Sequence, residues 1–179
     1  MIPSNLETAR LHLRPFSSDD SAAVLAYWKS DPGWEKFNAS VPANFTASDA
    51  ARFVAEMVQR DRHDRPHWAI IHDATVVGVV SLTFEQHHRI AVIGYGVHAK
   101  LRGRGLTVEA TSKVIGEAFS GVPELTRLRA HTNPENAPSM RVLEKLGFTL
   151  EGILRKNQFP KGRLTDEAVF GLLRTQWYR

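Results

Sequence analysis

A short basic loop with two glycines is the segment most suited to binding a ligand. The residues before it, 92–97, are β-branched, aromatic or small, which predicts a buried strand, and a helical pattern begins after the loop. Gly103 and Gly105 can adopt positive φ and let a ligand approach the backbone closely. Arg102 and Arg104 add positive charge beside a helix N-terminus. This order predicts a phosphate or pyrophosphate site, with an ordinary strand-to-helix turn as the alternative.

Two other nucleotide loops do not match this segment, and a second motif follows it. The sequence lacks G-x-x-x-x-G-K-[ST], and Val108 stands where the third glycine of G-x-G-x-x-G would be. Residues 133–148 carry the signals of a complete short helix. Asn136 can cap it, Pro138 suits its first turn, and Gly147 suits its end.

The two segments together resemble the signature of the GCN5-related N-acetyltransferase (GNAT) superfamily. Its phosphate loop reads roughly [RQ]-x-x-G-x-[GA], and N-x-x-S-x-x-x-x-E-K-x-G-F is typical of its ribosomal-protein-acetylating branch. The opening residues 8–16 resemble the T-x-R-L-x-L-R strand of that branch. The end agrees too, with residues 151–155, a hairpin, Asp166 and a strand closing on Trp177. The resemblance covers nearly all 179 residues in the same order.

The resemblance implies an α+β fold in which residues 1–179 form one domain. A mixed sheet of six to seven strands and about four helices is expected, with a V-shaped splay between residues 92–98 and 126–132. The sequence patterns predict helices at about 19–30, from Thr46-x-x-Asp49 onward, at about 105–119 and at about 136–146. They predict strands at about 10–16, 67–72, 76–84, 90–98 and 126–132, and a closing hairpin at about 149–173.

The implied activity is transfer of acetyl from acetyl-CoA to a primary amine. The pyrophosphate would bind the amides of residues 102–107, and the pantetheine arm would pair along the strand before them. The residues expected to contact acetyl-CoA are Tyr95, Val97, Lys100, Leu101, Arg102, Gly103, Arg104, Gly105, Leu106, Thr107, Asn136 and Ser139.

The resemblance also suggests which residues act on protons. Many superfamily members place a tyrosine where this chain has Leu143, and in the branch a serine at the place of Ser139 steadies the departing thiolate. The branch tends to place a glutamate where this chain has Gln158, which cannot take a proton. Glu85, at the end of a predicted strand, is the next candidate for a base acting through water. A capping serine and a solvated turn glutamate are the alternatives.

The acceptor pocket is expected among the first two helices, the loop between them and the final hairpin. Trp28, Trp34 and Phe37 are candidates to line it with Glu85, and the alternative is that these aromatic residues are core. A protein N-terminal α-amine is the acceptor that the branch implies. A small-molecule amine (a polyamine, amino acid or aminoglycoside-like compound) and a catalytically weak acetyl-CoA-binding regulatory domain are the other hypotheses.

Composition limits the remaining possibilities. The chain has no cysteine, which excludes disulfides, thiolate metal sites and a cysteine nucleophile. Its histidines are scattered without metal-ligand spacing, so no metal is expected. A net charge of +4 suits an anionic cofactor and is too small to indicate nucleic-acid binding. Because no apolar run could span a membrane and no signal peptide opens the chain, we expect a cytoplasmic protein. We also expect it to be a monomer or a homodimer.

Overall fold

An eight-stranded mixed sheet forms the centre of the structure, a computed structural model that describes residues 2–31, 37, 44–158 and 162–177. The strands are β1 (Leu6–Glu7), β2 (His12–Arg14), β3 (His67–His72), β4 (Thr75–Glu85), β5 (Ile90–Val97), β6 (Arg127–Thr132), β7 (Thr149–Gln158) and β8 (Thr165–Leu173). Their order in the sheet is β1-β2-β3-β4-β5-β6-β8-β7. The predicted α+β class is confirmed. The predicted strand count was too low because β1 has only two residues, too few to show a periodicity.

Five α-helices lie in the described part of the chain: α1 (Ser21–Lys29), α2 (Ala47–Gln59), α3 (Leu106–Gly121), α4 (Ala137–Lys145) and α5 (Arg174–Trp177). Residues 18–20, predicted to start α1, form a separate 3₁₀ turn, whose capping box joins Ser17 and Asp20. The capping box predicted for α2 is present between Thr46 and Asp49. Local side-chain-to-backbone bonds therefore fix where these helices begin.

Helices pack on both faces of the sheet and make two hydrophobic cores. The first core joins α3 and α4 to one face, and Phe119, Ile93 and Ala130 are among its members. The second core joins α1 and α2 to the opposite face over β3 and β4, with Trp28 and Val54 buried in it. A strand residue therefore packs against α3 and α4 if its side chain lies on one face of the sheet, and against α1 and α2 if it lies on the other.

The splay predicted between β5 and β6 is confirmed. These strands are the parallel pair of the sheet, and their pairing extends only from Ile90↔Arg127 to Val92↔Arg129. Beyond that point β5 continues to pair with β4 as far as Val97, and β6 continues to pair with β8 as far as Thr132. One edge of β5 after Val92 is thus left without a strand partner in the described structure, and an extended ligand could pair with it.

A membrane-spanning helix would have to be both long and apolar, and none of the helices in the described residues is.

Candidate functional site

The glycine loop adopts the conformation that its sequence predicts. Gly103 and Gly105 have φ values of 76° and 81°, in the left-handed region that favours glycine. Gly105 is the N-cap of α3, so the first amides of that helix lack helical partners and face the loop. A Cβ added at Gly103 would meet nothing within 4 Å. There is therefore open space beside the amides, where an anion could bind.

The loop is anchored to the start of the chain through Glu109, in the first turn of α3. Its carboxylate accepts hydrogen bonds from the Thr8 hydroxyl at 2.7 Å and from the Arg10 amide at 3.0 Å, and it pairs with the Arg10 guanidinium at 2.5 Å. Arg10 also donates to the carbonyl of Arg104 at 3.0 Å. Burial acts to raise the pKa of Glu109, but the bonds from Thr8 and Arg10 outweigh it, so the pKa is lowered. These contacts give a physical role to the T-x-R motif.

A cleft of about 530 Å³ joins the glycine loop to β5 and α4. Of the predicted cofactor residues it is lined by Tyr95, Val97, Leu101, Arg102, Gly103, Gly105, Leu106, Thr107, Asn136 and Ser139. Lys100 and Arg104 are not among its lining residues. The contacts of all twelve with acetyl-CoA stay predictions.

The cleft is more basic than the loop alone suggested. Arg141 and Lys145 of α4, which the sequence analysis did not include in the site, both line it. Their spacing of four residues puts them on one face of the helix, and that spacing was the available signal. Burial and the charges of Lys100 and Arg102 lower the pKa of His98. Arg102 itself is paired with Asp31 at 2.6 Å.

Two hydroxyl groups meet across the cleft between β5 and α4. The Tyr95 hydroxyl donates to the backbone carbonyl of Ser139 at 3.1 Å and lies 3.1 Å from the Ser139 Oγ. Burial raises the pKa of Tyr95 to about 12, so its phenol stays protonated at neutral pH. The side chain of Asn136 caps α4 by accepting from the Ser139 amide at 3.3 Å. Tyr95 was expected only to bind acetyl-CoA, because Tyr95 and Ser139 are far apart in the sequence and their contact could not be predicted.

The candidate base Glu85 lies in an ion pair outside the residues that line the cleft. Its carboxylate accepts a hydrogen bond from the guanidinium of Arg129 on β6.

The aromatic candidates for the acceptor pocket do not all lie in the same part of the structure. Trp28 is only 4% exposed and packs edge-on against Phe45 and Phe53, as the core alternative stated.

The other two aromatic candidates lie in the segment after α1. Phe37 is 39% exposed and lines the cleft, so it can meet a ligand. Trp34 lies outside the described residues. Among the three aromatic candidates for the acceptor pocket, Phe37 is thus the one that the described residues place at the cleft.

A buried carboxylate lies within the closing hairpin, on the strand that pairs with the strand of Gln158. Glu167 of β8 is 5% exposed and accepts hydrogen bonds from the side chains of Gln158 and, at 2.7 Å, Asn157. His131 of β6 brings its Nδ1 to 3.3 Å from the same carboxylate. This cluster could not be predicted from the sequence because its members come from three strands.

Two histidines and an aspartate lie close together near the turn between β4 and β5. His63, Asp64 and His88 bring one potential ligand atom each to within 4.8 Å of one another. His88 Nε2 lies 2.8 Å from Asp64 Oδ1, and His63 Nδ1 lies 2.9 Å from the same oxygen. The turn between β4 and β5 meets the loop before β3, which the separation of these residues in sequence does not show. The expected absence of a metal stays a prediction.

Comparisons with known proteins agree with this geometry. The family model described as Acetyltransferase (GNAT) domain matches residues 10–149. The chain is 32% identical over 177 residues to the uncharacterized N-acetyltransferase p20 of Bacillus licheniformis, covering 96% of this chain and 97% of that protein. Two crystal structures under 25% identical share the fold. The ribosomal-protein-S5-alanine acetyltransferase of Vibrio fischeri is 20% identical with a TM-score of 0.82, covering 98% of this chain and 99% of that one. The Microcin C7 self immunity acetyltransferase MccE, in complex with acetyl-CoA and AMP, is 24% identical with a TM-score of 0.85, covering 96% and 97%.

Proposed function

The chain belongs to the GNAT family of N-acetyltransferases, and we propose that it transfers acetyl from acetyl-CoA directly to the α-amine of a protein N-terminus. The observation that carries this proposal is the cleft, which connects the glycine loop, the splayed edge of β5 and the Tyr95–Ser139 hydroxyl pair. These three features can bind a phosphate group, an amide-containing arm and a departing sulfur in turn.

The residues present fit acetyl-CoA. The open space beside Gly103 and the first amides of α3 suit a pyrophosphate, with Arg141 and Lys145 adding positive charge. The free edge of β5 offers backbone groups to the amides of the pantetheine arm. When bound, acetyl-CoA supplies the acetyl group as a thioester, which an amine can attack.

The proposed role of Tyr95 and Ser139 is to stabilise the departing sulfur. A hydroxyl that donates to a developing thiolate strengthens its hydrogen bond as negative charge appears, which lowers the barrier. The raised pKa of Tyr95 keeps its phenol protonated and able to donate. This pair takes the role that a tyrosine at the position of Leu143 has in many relatives. Because the chain has no cysteine, we expect direct attack rather than an acetyl-cysteine enzyme.

Three considerations favour a protein N-terminus as the acceptor. The α4 segment carries the branch motif, ending in Glu144, Lys145, Gly147 and Phe148. The ribosomal-protein-S5-alanine acetyltransferase shares the fold over almost the whole chain. An α-amine with a pKa of about 7.7–8.0 is partly neutral at physiological pH, whereas a lysine amine near 10.4 needs more help from a base.

A competition assay tests the acceptor class. The enzyme is given acetyl-CoA with equal concentrations of a peptide whose only amine is its α-amine, an N-blocked peptide with one lysine, and spermidine. Mass spectrometry of the three products should find the α-acetylated peptide dominant. A dominant acetylspermidine would replace the proposed acceptor with a small amine. No acetylated product from any amine would refute transferase function and favour a regulatory acetyl-CoA-binding domain.

A further inference from the structure

The face of the sheet opposite Tyr95 holds a histidine where the strands separate. Ala130 is buried in the core on the α3 side, so the next residue, His131, points to the other face of β6. His131 stands two residues after Arg129, the last residue of β6 that pairs with β5. That distance is roughly 6–7 Å along a strand. The imidazole is therefore beside the opening of the splay.

The neighbouring strand carries small residues on this same face. Tyr95 packs against the first core, so its neighbours Gly94 and Gly96 lie on the His131 face of β5. The Oγ of Ser81 on β4 lies close to Gly94, 3.0 Å from where a Cβ would be. On this face, therefore, no β5 side chain at positions 94 and 96 stands between the open edge of β5 and β6.

His131 is held by the buried carboxylate of Glu167. Its Nδ1 faces the carboxylate at 3.3 Å, and its side chain remains 32% exposed. The other described partners of Glu167, Asn157 and Gln158, donate through neutral amides. The contact at Nδ1 fixes the orientation of the imidazole and leaves its Nε2 available to accept a proton. Gln158 therefore does not remove the carboxylate from this site, because Glu167 supplies it.

Resting on the proposed transferase function, we propose that His131 is the proton acceptor for the attacking amine and that Glu167 positions it. The amine nitrogen bonds to the acetyl carbonyl carbon, and the carbon–sulfur bond breaks. The proton lost from nitrogen goes to the Nε2 of His131. The sulfur leaves as a thiolate that accepts hydrogen bonds from Tyr95 and Ser139, and it takes its proton from water. His131 returns its proton to water, which restores the starting state. Glu85 is less suited because Arg129 already neutralises it.

Chemical rescue tests this role. His131→Ala should lower kcat by roughly 100-fold or more, the range of general-base catalysis, while acetyl-CoA affinity stays near that of the wild type. Added imidazole should restore part of the lost rate by occupying the space of the missing ring. Glu167→Gln should lower kcat with little change in the KM for acetyl-CoA, because the imidazole loses its carboxylate partner.

A matched control is available on β3, three strands away from β6 in the sheet. His72 of β3 also pairs with a carboxylate, that of Asp73 at 3.1 Å, and its side chain is 22% exposed. His72→Ala should keep the wild-type rate and show no response to imidazole. An unchanged kcat in His131→Ala, or a loss that imidazole does not restore while acetyl-CoA still binds, would overturn the inference. If His131→Ala does not fold, an unchanged kcat in Glu167→Gln would overturn it. If the wild type acetylates no amine, the proposed function itself has failed.

Discussion

Removing the Tyr95 hydroxyl tests how the departing sulfur is stabilised. Tyr95→Phe deletes one oxygen that has two contacts of 3.1 Å with Ser139, one to its carbonyl and one to its Oγ. A hydrogen bond to a charged group contributes about 1.5–3 kcal/mol, so kcat should fall by about 10- to 150-fold. The free energy of unfolding should fall by only about 1 kcal/mol, because one neutral bond to the backbone is lost. Acetyl-CoA affinity should be almost unchanged, since the thiolate forms only during reaction.

The assay is steady-state release of free CoA, with affinity measured by calorimetry and stability by thermal unfolding. Ser139→Ala should lower kcat in the same way, and the double variant should lose little more than the worse single variant, because the two hydroxyls act as one unit. A wild-type kcat in both single variants would refute the reasoning. Losses that multiply in the double variant would show that the hydroxyls act independently.

Three further predictions follow from other parts of the structure. Gly103→Glu should abolish acetyl-CoA binding measured by calorimetry. The control Gly162→Glu should bind acetyl-CoA normally, because Gly162 has a similar φ, 78° against 76°, and a Cβ there would also meet nothing within 4 Å. Normal binding by the Gly103 variant would contradict the assigned phosphate site. Because the pKa of Glu109 is lowered in the fold, its contribution to stability is present above about pH 4.3 and is lost as the pH falls below that value. The melting-temperature deficit of Glu109→Gln should therefore shrink in acid, and a constant deficit would show that its charge is not involved. Trp28→Ala should lower the free energy of unfolding, measured with denaturant, by about 3–5 kcal/mol. Phe37→Ala removes an exposed side chain, so it should lower that free energy by less than about 0.5 kcal/mol and raise the KM for the amine. Equal losses of stability would contradict the core position of Trp28.

Features encoded within a few residues could be predicted from the sequence. The positive φ of Gly105 and the cap formed by Asn136 depend on local sterics and on hydrogen bonds between near neighbours. The splay between β5 and β6 followed from the resemblance rather than from any pattern in the residues. Its outcome agrees with the strand pairing of the structure.

The partners of the polar side chains could not be predicted in this way. Glu85 at the end of β4 meets Arg129 of β6 across the intervening strand β5, and no local pattern encodes that contact. Likewise, His131 meets Glu167 across the pairing of β6 with β8, which joins distant parts of the chain. The sequence left Trp28 as either a pocket residue or a core residue, and the packing of α1 on α2 shows that it is core.

The most direct test of the central claim follows the acetyl group itself. Enzyme mixed with isotopically labelled acetyl-CoA is quenched over time, first without an acceptor and then with the α-amine peptide, and intact masses of both chains are recorded. Direct transfer predicts that the enzyme mass stays unchanged in both experiments, while label appears on the peptide amine as free CoA accumulates. A labelled enzyme that passes its acetyl group to the peptide, or CoA release without any acetylated peptide, would contradict the account.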